Sequence, residues 1–330
     1  MGNVTELRET KELEILNKIL KKQKYHLVGI HSAVKKCSWL HKALAYGIPC
    51  YKQKFYGIST HRCIQMSPAV IYCTLRCVYC WRIQPEDVGI TWNQLKPPKW
   101  NDPEEIVEGC IREQRRILSG YKDWVLRGKL SEKKFEEAMN PNQVAISLSG
   151  EPTLYPYLGE LIREFRKRNF TTFLVTNGTL PERLTELSEL PTQLYVTLPA
   201  PDEETFLKVN RPLISNAWQK LLQTLELLPS INTRTVIRLT LVRELNLKNP
   251  EKYAKLIEKA EPIFIEPKGY VHVGFSQRRL ERKNMPTHEE IKEFGKKLSE
   301  ILGYYLVDES PASRVVLLSK EKQVRKIRIE

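Results

Sequence analysis

IYCTLRCVYCWR, residues 71–82, decides how the chain is to be read. Cys73, Cys77 and Cys80 stand there as C-x3-C-x2-C. Three thiolates this close can occupy one face of an iron–sulfur cubane and leave its fourth iron open to a chelating substrate. A closed zinc site wants four protein ligands, commonly as paired C-x2-C knuckles, and the second knuckle is missing here. A histidine such as His41 or His61 could complete a zinc site, so zinc stays open as an alternative. Upstream, Cys37, Cys50 and Cys63 are evenly spaced as C-x12-C-x12-C. Six of the seven cysteines therefore fall within residues 37–80, which reads as a metal site before it reads as a disulfide framework. The seventh, Cys110, shares an apolar helix face with Ile106 and reads as core packing.

Downstream of this cluster, β-branched and apolar runs alternate with amphipathic stretches. Residues 144–148 read as a buried strand ending in Ser149, Gly150 and Glu151, and residues 171–179, 194–201, 234–242 and 263–274 read as further strands. Residues 157–168 and 217–228 carry helical periodicity. Another helix begins at Asp102 as N-cap, with Pro103 in its first position and acidic residues in its first turn. Residues 89–103, with a Pro-Pro pair, read as a loop. Strands alternating with helices mean parallel βαβ units, whose functional residues gather at the strand C-terminal ends.

The 330 residues carry 53 basic and 39 acidic side chains, a net charge of +14. A chain of this length can bury a full core without disulfides, and 41% hydrophobic with 28% charged residues argues against general disorder. No run of 18 apolar residues exists, which excludes a membrane-spanning helix. The first residues are charged and lack an apolar signal core, so a cytoplasmic location is expected. The excess charge by itself suits RNA, a membrane surface or an acidic metabolite equally. Basic clusters lie at Lys18, Lys21, Lys22 and Lys24, in YKQKFY (residues 51–56), in QRRLERK (residues 277–283), and in a tail with Lys320, Lys322, Arg325, Lys326 and Arg328. Lys52, Lys54 and Tyr56, with Arg278, Arg279 and Arg282, are the candidate RNA contacts. Cationic side chains interleaved with aromatic ones are how unstacked RNA bases are held.

CTLRCVYC resembles the signature of the radical S-adenosylmethionine (SAM) superfamily, C-x3-C-x-aromatic-C, with Tyr79 in the aromatic place. Ser149-Gly150-Glu151 resembles that superfamily's glycine-glycine-glutamate strand end, with a serine in the first position. The additional upstream triplet and ESPASRVVLL (residues 309–318) are similar to the tRNA 4-demethylwyosine synthases of wybutosine biosynthesis in their single-domain archaeal form. The resemblance covers residues 31–318.

It implies an α/β fold: a partial (β/α)6 radical SAM barrel over residues 67–275, an N-terminal cluster-binding extension (1–66) and a basic C-terminal extension (276–330). Cys73, Cys77 and Cys80 would hold a [4Fe-4S] cluster that chelates SAM, and Cys37, Cys50 and Cys63 a second [4Fe-4S] cluster. Ser149, Gly150, Glu151, Thr176, Asn177 and Thr197 would contact SAM, Glu151 by accepting hydrogen bonds from its ammonium group. The implied reaction joins two carbons of pyruvate onto N1-methylguanosine at position 37 of tRNA-Phe. A 5′-deoxyadenosyl radical takes hydrogen from the N1-methyl group, the resulting carbon radical attacks the pyruvate carbonyl, and loss of the carboxyl carbon with ring closure gives 4-demethylwyosine.

Pyruvate would be anchored by the second cluster or by a lysine Schiff base, which needs an amine whose pKa is lowered. Lys42 is the candidate, with Lys35 and Lys36 behind it. The implied partners are the tRNA-Phe anticodon loop and a separate one-electron donor protein, since no flavodoxin-like domain precedes the cluster region. A monomer without membrane contact is expected. Arg238 could face the barrel, and Ser310 and Arg314 have no assigned role. Two rival readings remain: another two-cluster radical SAM enzyme acting on a small molecule or peptide, and a zinc-stabilised RNA-binding protein.

Overall fold

The computed structural model describes residues 2–90 and 94–327, with side chains from residue 11 onward. Arg328 of the basic tail and part of the loop at residues 89–103 lie outside the described residues. Ten strands form one sheet: β1 (Tyr25–Val28), β2 (Ser32–Lys35), β3 (Cys63–Ser67), β4 (Gln143–Ile146), β5 (Thr171–Thr176), β6 (Gln193–Thr197), β7 (Arg234–Leu241), β8 (Phe264–Gly269), β9 (Tyr305–Ser310) and β10 (Val315–Ser319). Their order is β1-β2-β3-β4-β5-β6-β7-β8-β10-β9. Strands β3 to β8 are parallel and adjacent in chain order. β1 and β2 extend one edge antiparallel, and β10 and β9 extend the other.

Parallel neighbours require long crossovers, and helices supply them. The helices before the main crossovers are α1 (Gly2–Lys22), α2 (Ser38–Tyr46) and α3 (Tyr51–Tyr56), and α4 (Pro103–Ser119) leads towards β4. The start of α4 follows its sequence: the Asp102 carboxylate accepts from the Glu104 amide at 2.8 Å, with Pro103 following it. Cys110 on α4 is fully buried among Ile106, Val107 and the outer face of the sheet, as its spacing predicts. The six parallel strands implied by the resemblance are present, and β4 to β8 are the five read from the sequence. The three expected segments share this single sheet, and β3 runs across the 66/67 position. β1–β3 and β9–β10 were not anticipated, because strands of four to six residues among cysteines and charges carry little alternation.

Alternation along the parallel strands separates two environments. One face, including Ile146, Leu174, Val196, Ile237 and Ile265, packs against the crossover helices. The other carries Phe173, Tyr195, Val236 and Phe264, and onto these α3 sets Tyr51, Phe55 and Tyr56. The YKQKFY segment was expected at the surface as an RNA contact. Its three aromatic rings instead plug the open side of the barrel, since burying each stabilises by roughly 1.5–3 kcal/mol, far more than surface display would. Among the described residues, no helix is long and apolar enough to cross a membrane.

Candidate active site

The C-terminal ends of β4 to β8 and the loop carrying residues 73–82 surround a cavity of about 340 Å³. Cys73, Cys77 and Cys80 line it, together with all six residues expected near SAM: Ser149, Gly150, Glu151, Thr176, Asn177 and Thr197.

The first cysteine loop is held from several sides. Asn210 Nδ2 donates to Cys77 Sγ and to the Tyr79 hydroxyl, both at 3.1 Å, and the Val78 amide donates to Val209 O at 2.9 Å. Asn177 Nδ2 lies 3.8 Å from Cys73 Sγ. Arg279 closes the loop from the far side: it pairs with Asp87, donates to Cys80 O, and donates from Nε to Val78 O at 3.2 Å. Its side chain is only 9% exposed, so the expectation that Arg279 meets RNA is corrected. It is a structural tie, because most of its donors go to Asp87 and to the carbonyls of Val78, Cys80 and Arg82.

Burial pushes the Cys77 thiol up to about 12, the neighbouring Cys80 and Cys73 adding to the rise. Buried Arg82 answers them: burial works against its charge, but Cys73, Cys80 and Cys77 more than offset that and hold its pKa above the ordinary arginine value. A group bringing positive irons to these thiolates fits the donor set. Among the described residues, no three His, Cys, Asp or Glu side chains converge tightly enough for a single ion. A cubane distributes its thiolates over separate irons, so the arrangement suits a cluster. The histidines offered for zinc are engaged elsewhere, His61 with Glu137 at 2.7 Å and His41 with the Tyr121 hydroxyl.

Gly150 sits at φ +74°, and a Cβ there would lie 1.7 Å from Ala69 O, so only glycine fits the turn. Ser149 Oγ donates to Val70 O at 2.9 Å. Glu151 also ties neighbouring strand ends together. Its carboxylate is 1% exposed and accepts from Thr153 N, Thr153 Oγ1, Thr176 Oγ1 and Asn177 N at 3.1, 2.6, 2.7 and 2.8 Å. Burial raises its pKa while these hydrogen bonds pull it down. Three of these donors meet Oε1 and one meets Oε2, which makes Glu151 and Thr176 a latch between the ends of β4 and β5.

The second triplet is assembled differently. Cys37 is the N-cap of α2, Cys50 the N-cap of α3, and Cys63 opens β3. Burial pushes Cys50 up to about 11, with Cys37 adding to it. Burial likewise raises Cys63 to about 12, against the pull of Lys52 and with Cys37 and Cys50 adding. The three thiols therefore share one neighbourhood.

Lys52, read from the sequence as an RNA contact, lies beside this second triplet. Its Nζ lies 4.6 Å and 4.5 Å from the Phe173 and Tyr195 ring centroids. No hydrogen bond or ion pair to it is found among the described residues. Burial, with Arg238 nearby, lowers its pKa. Below it, Arg238 donates to Glu266 Oε2 from Nη2 and Nε at 2.8 and 3.1 Å, and the Tyr51 and Tyr56 hydroxyls donate to Glu266 at 3.0 and 2.6 Å. Burial would raise the Glu266 carboxyl, but Arg238, Tyr56 and Lys52 hold it below the usual range. Lys268 completes the group, its pKa lowered to about 8 by burial and by Arg238.

Lys42 does not enter. It is exposed on α2 with Nζ 4.4 Å over the Trp39 ring, so its assignment as the reactive lysine is corrected. Lys35 is spent on Gln23 O and the Tyr25 ring, and Lys36 lies over the Tyr121 ring. Tyr56 is fully buried, which removes it from any RNA surface. Lys54, Arg278 and Arg282 are exposed, Lys54 paired with Asp308 at 2.6 Å and Arg278 stacked on Phe275. The signal for Lys52 was its place two residues after Cys50. For Glu266 and Lys268 it was the period of two along β8.

Residues 259–320 match the family model for wyosine base formation, and residues 127–257 that of the radical SAM superfamily. The S-adenosyl-L-methionine-dependent tRNA 4-demethylwyosine synthase of Pyrococcus horikoshii is 53% identical over 307 residues, 92% of this chain and 88% of that protein. The chain belongs to the tRNA 4-demethylwyosine synthase family. The synthase of Methanocaldococcus jannaschii is 46% identical over 94% of this chain and 97% of that protein. A solved structure of TYW1 with a lysine-pyruvate adduct bound superimposes with a TM-score of 0.84 at 44% identity, covering 95% and 97% of the two chains. Membership in this synthase family brings the radical SAM fold, with SAM and an iron–sulfur cluster as its cofactors. It supports neither the zinc-stabilised binding protein nor the small-molecule enzyme.

Proposed function

We propose that this protein makes 4-demethylwyosine by joining two carbons of pyruvate to N1-methylguanosine at position 37 of tRNA-Phe. The observation that carries the reading is a cavity lined by Cys73, Cys77 and Cys80 and, at its inner end, by Arg238 and Lys268, with Lys52 and the second cysteine triplet next to those two cations. Cys73, Cys77 and Cys80 would hold the cluster that binds SAM, and Cys37, Cys50 and Cys63 a second one. Bound there, the first cluster and SAM supply a one-electron cleavage that yields a hydrogen-abstracting radical. The protein's own part is to position, to exclude water and to hold a nucleophile. Gly150 lets the backbone come close, the Glu151–Thr176 latch fixes the strand ends, and Ser149, Asn177 and Thr197 remain to meet the cofactor.

Lys52 takes the role first considered for Lys42. Its amine is half-buried, without an acceptor among the described residues and set beside Arg238, which favours the neutral nucleophile needed to add to the pyruvate carbonyl. A relative holding a lysine-pyruvate adduct supports this choice. The anticodon loop would approach over exposed Lys54, Arg278 and Arg282, an external protein would deliver the electron, and the enzyme would act as a monomer. Within the shared sheet, residues 67–275 form the catalytic core, with residues 1–66 adding the second cysteine triplet and 276–330 a basic flank.

The test uses anaerobic protein with reconstituted clusters, SAM, pyruvate, a reductant and tRNA bearing N1-methylguanosine. The expected result is a new tricyclic base, with roughly seven to eight irons per chain if both triplets are loaded. Lys52→Ala is expected to lose the base while Lys42→Ala keeps full turnover. Deoxyadenosine formed without tRNA dependence and with no new base would sink the reading.

A further inference from the structure

Three cations gather around Glu266. Arg238 is neutralised by Glu266 through two hydrogen bonds and receives no further acidic partner. Lys52 is held by ring faces alone. Lys268 is the third. It follows Glu266 by two positions on β8, so both side chains face the interior, and it pairs with Thr240 of β7 in register. Its Nζ donates to Ser313 O at 2.7 Å and lies 5.1 Å from the ring of Tyr51, the residue preceding Lys52. Among the described residues no carboxylate comes within ion-pair distance of it. A half-buried ammonium with two donors unspent and no counter-ion is costly unless an anion arrives.

The chain takes trouble to aim this side chain. Ser313 and Arg314 belong to the ESPASR turn between β9 and β10, where Arg314 adopts φ +46° and its carbonyl accepts from the Gly269 amide at 2.8 Å. The turn thus clasps β8 twice in succession, once through the Lys268 ammonium and once through the next residue's amide. A left-handed arginine is strained by roughly 1–2 kcal/mol and persists only where the surroundings require it.

We propose that Lys268 binds the carboxylate of the 2-oxo acid whose carbonyl carbon is attacked by Lys52, with the ESPASR turn holding its ammonium in place. The inference rests on the Lys52 reading above. In that step the Lys52 amine adds to the C2 carbonyl, a C=N bond replaces C=O and water leaves. The carboxylate plays no covalent part. Lys268 therefore sets specificity: ketones that lack a carboxylate have nothing to offer it, and the net positive charge around Glu266 favours an acid. SAM also carries a carboxylate, and Lys268 borders the cavity that would hold it, so the experiment must separate the two anions.

Borohydride trapping does so, using cluster-loaded protein and mass analysis of the peptide containing Lys52. The parent enzyme is expected to trap pyruvate at Lys52 at far lower concentration than acetone. Lys268→Met should raise the pyruvate concentration for half-trapping by roughly 10- to 100-fold, as loss of a buried charge-assisted pair does, and leave that for acetone unchanged. Lys268→Arg should restore most of the preference, and SAM binding in both variants should match the parent. Equal loss for pyruvate and acetone would overturn the proposal, as would weakened SAM binding with normal pyruvate trapping. No adduct at Lys52 in the parent would remove the Lys52 reading and this inference together. A parent adduct whose pyruvate dependence ignores Lys268→Met would remove this inference alone.

Discussion

The two cysteine triplets use the same residue in opposite ways. Cys73, Cys77 and Cys80 sit on one loop of eight residues, and neighbouring elements grip that loop through its backbone: Val209, Asn210 and Arg279 all bond to it. Cys37, Cys50 and Cys63 come from the start of α2, the start of α3 and the start of β3, and only packing brings them together. The spacing of a local site is set by its own loop; a distributed one depends on every element that carries it. The local triplet borders the strand ends, where a cofactor can enter. The distributed one borders Lys52 and the aromatic plug, where a small acid can be enclosed.

The largest effects should separate the triplets outright. Cys77→Ala is expected to abolish 5′-deoxyadenosine formation. Cys50→Ala should keep part of that cleavage yet stop the tricyclic base, both read by chromatography of nucleosides. Equal cleavage by Cys77→Ala and the parent would erase the distinction. A smaller effect is expected from Arg279→Ala. Breaking its buried pair with Asp87 should cost about 3 kcal/mol in chemical denaturation and lower the iron retained by the first triplet, while iron held by the second is unchanged. An equal loss from both sites would mean that the loop is not independently held.

The smallest effect lies outside both triplets and calibrates the others. Asp202 caps the helix Glu203–Asn210 and pairs with Lys252 at 2.8 Å, which with the Thr205 contact holds its carboxyl down at about 2. A depressed folded-state pKa contributes stability that is complete above the ordinary aspartate range near pH 4 and is lost as pH falls towards 2. Asp202→Asn should cost about 1 kcal/mol at pH 7, flatten the acid limb of the stability curve between pH 4 and 2, and leave SAM cleavage untouched.

Legibility followed the same division. The C-x3-C-x2-C loop, the Asp102 cap, buried Cys110 and strands β4 to β8 were visible because each is a short-range pattern of spacing or period. Lys52 and Tyr56 were misread as surface groups, since a basic-aromatic hexapeptide looks alike whether its rings meet RNA or the inside of a barrel. Arg279 was misread for a related reason: nothing near it in sequence announces Asp87 or the Cys80 carbonyl, which lie some 190 positions away.

The sequence alone determined which chemistry the chain is equipped for. Thiolate spacing and strand periodicity are local, and local geometry follows from bond lengths and the helical or extended repeat. Only the tertiary structure decided which of two lysines is set beside the second cysteine triplet. Lys42 and Lys52 are chemically identical and both lie between Cys37 and Cys63. Lys42 falls on the exposed side of α2, while α3 sets Lys52, half-buried, between Phe173, Tyr195 and Arg238. Desolvation and neighbouring charge make the amine reactive, and both are properties of the folded surroundings rather than of the residue.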